Sequence, residues 1–272
     1  EIGWCDWSSD VCSSDLVSCE RVFNPKLEGR AVVVLSNNDG CVISRSNEAK
    51  ALGIKMAEPY FQHKDLYASN DVTAFSSNYT LYGDMSNRMM TILRNFTPDL
   101  EIYSIDEAFL NLEGINANMH DYGKIIRATI LKNIGIPVGV GIGSTKTLAK
   151  VANKIAKKTE GVFVIDSEEV RVSSLKQTLI EDVWGIGRQY ARKLQSMNIV
   201  TAYDFSRLDP NWVLHNMTVV GHRTWEELNG KPCIPIEAMF QPKKNIATTR
   251  SFGKRLNDID RIAQAVATHS VR

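Results

Sequence analysis

The chain contains no run of about 18 consecutive apolar residues, so no transmembrane helix is expected. Its first residues lack a basic stretch followed by an apolar one, which leaves no visible secretory signal. No two of its five cysteines, at 5, 12, 19, 41 and 233, form a Cys-x-x-Cys pair, so paired-cysteine zinc ligation is not expected. A reduced, cytoplasmic chain is the expectation that follows. Excess charge is also scarce. The net charge of +1 neither demands nor excludes a nucleic-acid partner, and the distribution of charge matters more than its sum. There is no initiating Met and the last residues, AQAVATHSVR, read as the middle of a helix, so both ends are expected to be cut.

What is present is ordinary globular composition, 43% hydrophobic and 23% charged, with length for two or more domains. Ala31 to Leu35 is an apolar β-branched run closed by a turn cluster and predicts a buried strand. SRSNEAKALGIKM predicts a helix with Ser46 as N-cap, Ala49 and Leu52 on one side, and Gly53 at its end. YTLYGDMSNRMMTILRNF predicts a longer helix carrying Leu81, Met85, Met89, Ile92 and Leu93. LEIYSIDEAFLNLEG predicts two short strands flanking Asp106 and Glu107. YGKIIRATILKNIG predicts a helix with Ile125, Ile126, Ile130 and Ile134, IPVGVGIGS a glycine-rich strand, TKTLAKVANKIAKK a helix and GVFVID a strand. Strands and helices alternate to Asp166, an α/β or α+β pattern. Short helices follow to about Pro232, and MFQPKKNIATTRSFGKR reads as a linker entering a new element.

Four stretches carry chemistry. Asp106 and Glu107 are adjacent carboxylates at a strand junction. Neighbours on a strand point to opposite faces, but a turn or bulge lets both converge and hold a hard cation such as Mg²⁺. A solvated hairpin tip fits the same spacing. Lys146, Lys150, Lys154 and Lys157 share one helical face, opposite Leu148, Val151, Ala152 and Ile155. That lysine stripe is expected to face out, either solvated or towards phosphates. The adjoining GVGIGSTKT is not a P-loop, because Thr145 and not Gly precedes Lys146. Its glycines are expected to permit a tight strand-to-helix turn. Gly185-Ile186-Gly187, followed by Arg188, Arg192 and Lys193, matches a helix-hairpin-helix turn whose backbone N–H groups contact phosphate, or else a purely structural turn. Ser44, Arg45 and Lys50 cluster where a strand gives way to a helix, chemistry that suits a triphosphate.

Together VVVLSNNDGCVISRSNEAKALGIKM, FSSNYTLYGDMSNRMM, EIYSIDEAFLNL, GVGIGSTKTLAKVANKIAKK and DVWGIGRQYARKL resemble the Y-family translesion DNA polymerases, of the UmuC type, from Val17 to Arg272. The resemblance implies an α+β right hand. Its ferredoxin-like palm would take 17–23 and 77–165, its small α/β fingers 24–76, and its helical thumb with the helix-hairpin-helix 166–231. A linker over 232–245 and the truncated start of a little finger over 246–272 would follow. It implies error-prone, template-directed synthesis in SOS DNA repair with two Mg²⁺ ions. Asp106 would be the palm metal ligand and Glu107 the carboxylate at the primer 3′-OH. Ser44, Lys50 and Lys157 would contact triphosphate, with Arg45 beside them. Gly185, Ile186, Gly187 and Arg188, with Lys146 and Lys150, would contact DNA. Primer–template DNA and dNTPs are the implied partners, with UmuD′, RecA and the sliding clamp, and no membrane.

The resemblance fails at the start. The family opens with Asp-x-Asn-x-Phe-Tyr-x-Ser-Cys-Glu on a strand, of which VSCE, Val17 to Glu20, supplies the end. Counting back from Cys19, the first metal-ligand Asp falls on Val11, and the aromatic pair ending in the steric gate falls on Asp15 and Leu16. Residues 1–16, with CDWSSDVCSSDL, resemble a sequencing adapter translated in frame, and are set apart from the fold reading as a non-native segment. Asp6, Asp10 and Asp15 are accordingly not read as ligands. The sheet is expected to lose its central strand, and the literal chain to show little or no polymerase activity. A non-catalytic DNA-binding module and a nucleotidyl cyclase are the competing readings. The thumb hairpin argues against the cyclase, which has no duplex to grip.

Overall fold

Short apolar runs build two sheets, and amphipathic helices cover them. The computed structural model describes residues 2–6, 15–237, 245, 252 and 255–270. In chain order, β1 (Ile2–Asp6) precedes α1 (Asp15–Phe23), and β2 (Val32–Leu35) precedes β3 (Val42–Arg45), α2 (Asn47–Ala51), α3 (Lys64–Ser69) and β4 (Thr73–Phe75). Then come α4 (Tyr79–Leu93), β5 (Leu100–Ile102), β6 (Glu107–Asn111), α5 (Met119–Ile134), β7 (Gly139–Gly143), α6 (Lys146–Ala156) and β8 (Val162–Val164). The rest is helical: α7 (Glu168–Gln177), α8 (Arg188–Gln195), α9 (Ala202–Ser206), α10 (Pro210–Leu228) and α11 (Ile259–Ser270). The architecture is α+β. No helix among the described residues is long and apolar enough to cross a membrane.

The smaller sheet runs β3-β2-β4, with all four residues of β2 buried, as an uninterrupted Val-Val-Val-Leu run demands. Ser46 caps α2 by accepting the Ala49 N–H at 3.2 Å, and its own backbone N–H donates to Val32. Gly53 closes that turn with φ +82°.

The larger sheet runs β5-β6-β1-β7-β8. Its central place is taken by Ile2–Asp6, antiparallel to β6 and to β7. This corrects the expectation that the sheet lacks its central strand. Five residues of mostly apolar chain satisfy the hydrogen-bonding edges of both neighbours, which would otherwise stay open. A second correction follows: Val17 to Glu20 belong to a helix and not to a strand. Leu16, Cys19 and Val22 recur at three-residue spacing, and Val17 and Cys19 are buried in the main core with Met85, Met89, Ile126 and Ile130. In α5 the buried row is Ile126, Ile130 and Ile134, while Ile125 points to solvent.

β7 separates two layers by simple alternation. Val140 and Ile142 belong to the core under α5, where the missing Cβ of Gly123 leaves room for Val162 and Val140. Gly139, Gly141 and Gly143 face α6. A Cβ on Gly141 would stand 2.1 Å from the Asn153 backbone nitrogen and 2.3 Å from the Ala149 carbonyl oxygen. The glycines therefore serve close helix-on-strand approach, not the tight turn expected of them, and none of the three has a positive φ. The other face of α6, with Leu148, Val151 and Ala152, packs into the second core with Leu175, Ile180, Phe205, Met217 and Leu228 of the helical region. Helix α10 breaks at Thr218 (φ 62°). The expected start of a last unit at Ile246 lies outside the described residues.

Candidate active site

Asp106 closes the bend between β5 and β6, and Glu107 is the first residue of β6. The backbone N–H groups of Tyr103 and Ser104 both donate to the Glu107 carbonyl, at 3.0 and 3.1 Å, which curls the bend back on itself. The Ser104 hydroxyl sits between the two carboxylates, hydrogen-bonded to Asp106 Oδ1 and 3.3 Å from Glu107 Oε2. One hydroxyl touching both means that both acids reach the same side. Position 11, where the family places its first ligand, lies outside the described residues, as does Asp10. Asp6, set aside with the rest of the opening segment, ends β1 with its Cα as the register partner of Glu107.

The lysine row does not face outwards, and this corrects the expected solvent-facing stripe. Lys146 forms an ion pair with Glu101 of β5, donates to the Pro235 carbonyl at 2.7 Å, and lies over the Phe109 ring at 4.7 Å. Its side chain is only 2% exposed, so it offers nothing to DNA. Lys150 pairs with Glu107 at 3.4 Å, and Lys154 pairs with Asp182. Lys146 and Lys150 are thus held in internal ion pairs, because α6 lies tight on the sheet whose far strands carry Glu101 and Glu107. Burying an ammonium requires such partners. Lys157 follows the last turn of α6, where its Cγ would lie 3.2 Å from a Cβ on Gly139.

The remaining nucleotide candidates lie by the smaller sheet. Ser44 is 1% exposed, and its hydroxyl accepts the Val17 backbone N–H at 3.3 Å, tying α1 to β3. Arg45 donates to the Ile54 carbonyl, and Lys50 donates to Asn47 Oδ1 at 3.3 Å. Arg21 reaches from α1 to Glu48 at 2.8 Å. Burial opposes the ionised Glu48, but its backbone N–H, the Ser46 hydroxyl and Arg21 together hold its carboxyl below the ordinary range. Tyr82 of α4 donates to Glu20 at 2.8 Å; burial first, then that hydrogen bond, pushes its phenol well above the ordinary range.

Gly185 adopts φ +89°, and a Cβ there would meet Thr224 Oγ1 at 2.6 Å, so two separate constraints select glycine. Gly187 caps α8 with no side-chain hydrogen bond, and its Cβ direction is open. The first N–H groups of α8 have no intrahelical acceptor, and Arg188 beside them is exposed. Ile186 is buried in the helical core, and its backbone N–H donates to the Val183 carbonyl at 3.0 Å.

Residues the sequence did not single out join these parts. The Trp184 indole N–H donates to the Tyr103 hydroxyl at 3.1 Å, and its ring meets Tyr103 edge to face at 5.7 Å and Phe109 at 5.8 Å. Glu227 of α10 is fully buried. It accepts from the Thr147 N–H, the Thr147 hydroxyl and the N–H groups of Cys233 and Ile234. Only the tertiary path of the chain reveals these, since the partners are separated by 80 residues or more for Trp184–Tyr103 and Thr147–Glu227.

A family model described as the impB/mucB/samB family matches residues 12–154. Protein UmuC of Salmonella typhimurium is 48% identical over 267 residues, covering 96% of this chain and 63% of the relative. Protein SamB of the same organism is 44% identical over the same extent. The chain thus spans a little under two thirds of the length of these two relatives, 63% of each. Among solved structures, one titled "Dbh Ternary Complex (substrates partially disordered)" superposes with a TM-score of 0.73 at 26% identity, over 87% of this chain and 69% of that one.

Proposed function

The chain belongs to the impB/mucB/samB family, and on that premise we propose that it is part of a UmuC-type, Y-family DNA polymerase that copies damaged templates with low fidelity. The observation that carries this reading is the Ser104 hydroxyl set between Asp106 and Glu107 at the end of the larger sheet. Mg²⁺ takes hard oxygen donors, and one or two carboxylates with waters and substrate phosphates hold it. Asp106 and Glu107 suit it as donors. Bound there, Mg²⁺ would supply activation of the primer 3′-OH and neutralisation of triphosphate charge. The chain's own share is to place the two carboxylates on one side of a rigid bend. Lys157, Lys50 and Arg45 offer positive charge to a triphosphate. The Gly185–Gly187 hairpin offers backbone N–H groups and Arg188 to a duplex, without reading sequence.

In this reading 17–23 and 77–165 form the palm, 24–76 the fingers, 166–231 the thumb, 232–245 a linker and 246–272 the start of a little finger. UmuD′, RecA and the sliding clamp are the partners the family suggests, in an SOS response to DNA damage. The literal chain is proposed to be a poor polymerase, since Val11 stands where the family has its first carboxylate.

A second reading, a non-catalytic DNA-binding module, is favoured by one observation: at the Gly185–Gly187 turn the exposed Arg188 stands beside the first N–H groups of α8, which have no intrahelical acceptor. Fluorescent dNTP binding with and without Mg²⁺ separates the two. The polymerase reading expects Mg²⁺-dependent binding that Asp106→Ala and Lys157→Ala abolish. Duplex binding that falls steeply with salt, with no Mg²⁺-dependent dNTP binding, would leave only the module.

A further inference from the structure

Lys150 touches a carboxylate of the palm and an aromatic ring of the thumb at once. Its ammonium lies 3.4 Å from Glu107 Oε1. It also lies 4.8 Å from the centre of the Tyr103 ring and 5.4 Å from that of Trp184. Tyr103 and Trp184 are themselves joined by the indole N–H at 3.1 Å and by their edge-to-face contact. Trp184 is also the residue immediately before Gly185, so the segment that opens the thumb hairpin ends against the catalytic bend.

Electron-rich ring faces attract an ammonium, and a carboxylate at 3.4 Å attracts it more strongly. A positive charge so placed opposes the arrival of a second cation at the same carboxylate. Lysine is suited to yield, because its charge is compact and its stem flexible. Without Trp184 the ammonium loses that ring and the thumb loses its hold on Tyr103.

We propose that Lys150 is a resident counter-cation of Glu107, kept in place by Trp184 and Tyr103, and that a divalent ion must displace it from that carboxylate. Thumb docking through Trp184 then lowers the metal affinity of the bend, and withdrawal of the thumb raises it. Lys150 and Trp184 are positioning residues in this scheme, not catalytic ones. The inference rests on reading Asp106 and Glu107 as metal ligands.

The test is Mn²⁺ binding to the full chain, read from the electron paramagnetic resonance signal of free Mn²⁺, with circular dichroism melts of every variant. Lys150→Met is expected to lower the Mn²⁺ Kd by about threefold or more, and Trp184→Leu to lower it by less, because the charge remains. Lys150→Arg is expected to hold the wild-type value within about twofold, since charge and ring contact persist. Damage to the fold would weaken Mn²⁺ binding, so the sign of the change separates the proposed role from a structural one. An Asp106-dependent Mn²⁺ site that Lys150→Met and Trp184→Leu leave unchanged or weaken would overturn the inference alone. Wild-type and Asp106→Ala chains with identical Mn²⁺ titrations would overturn the metal reading and the inference together.

Discussion

The carboxylate of Glu227 grips the first turn of α6 by accepting the Thr147 backbone N–H at 2.9 Å and the Thr147 hydroxyl at 3.0 Å. Its second oxygen accepts the N–H groups of Cys233 and Ile234 at 3.2 and 3.0 Å. A residue of α10 therefore does for α6 what a local N-cap side chain does elsewhere, and it fixes where the chain leaves α10.

Glu227→Ala should accordingly be among the more damaging single changes. It leaves two buried and two half-buried donors without this acceptor, and a loss of about 3 kcal/mol or more is expected from such a set. Glu227→Gln keeps the shape but turns an N–H₂ towards donors, so it should recover only part of that loss. Guanidinium unfolding curves of the two variants check both statements. Wild-type stability in Glu227→Ala would show that water reaches this site.

Two glycines predict opposite outcomes. Gly141→Ala must force α6 off the sheet, because its Cβ would meet backbone atoms at 2.1 and 2.3 Å that have nowhere to go. A loss of about 3 kcal/mol or failure to fold is expected. Gly187→Ala meets nothing within 4 Å and keeps an ordinary negative φ, so it should cost at most about 1 kcal/mol as a poorer N-cap. Thermal melts of the pair give the comparison directly.

Tyr82 makes stability depend on alkaline pH. Burial and the Glu20 hydrogen bond raise its folded-state pKa, so the neutral phenol is favoured by folding. The contribution is fully present below the unfolded value of about 10 and is lost as pH rises beyond it. Tyr82→Phe should be less stable at pH 7 by about 1–2 kcal/mol, the worth of a hydrogen bond to a carboxylate. The gap should narrow above pH 10. Melts of both proteins between pH 7 and 11 test the sign; a gap that widens with pH contradicts it.

Much of the local structure was legible from residue type. The Val-Val-Val-Leu strand, the Ser46 cap and the acidic bend at Asp106 each depend on neighbours within a few positions, and each stands where the pattern put it. The lysine row was legible as a row but not in its direction. A charged helical face is ordinarily solvated, and only the layering of α6 across β7 and β1 brings Glu101 and Glu107 beneath Lys146 and Lys150. The burial of Ser44 was hidden for the same reason: the Val17 N–H that donates to its hydroxyl lies 27 residues away. The opening segment shows the limit of reading by composition. The Ser- and Asp-rich stretch argued against structure, while Ile2–Asp6, just before and into it, forms the middle strand of the larger sheet.

The three glycines of β7 act at a distance from where they stand. Their missing methyl groups set the height at which α6 rides over the sheet, and that height sets how far Lys146 and Lys150 must stretch to meet carboxylates on β5 and β6. The strand works as a spacer gauge. A side chain added at 139, 141 or 143 would first be felt as a jack under the helix, and next as slackened ionic tethers at the bend that carries Asp106 and Glu107.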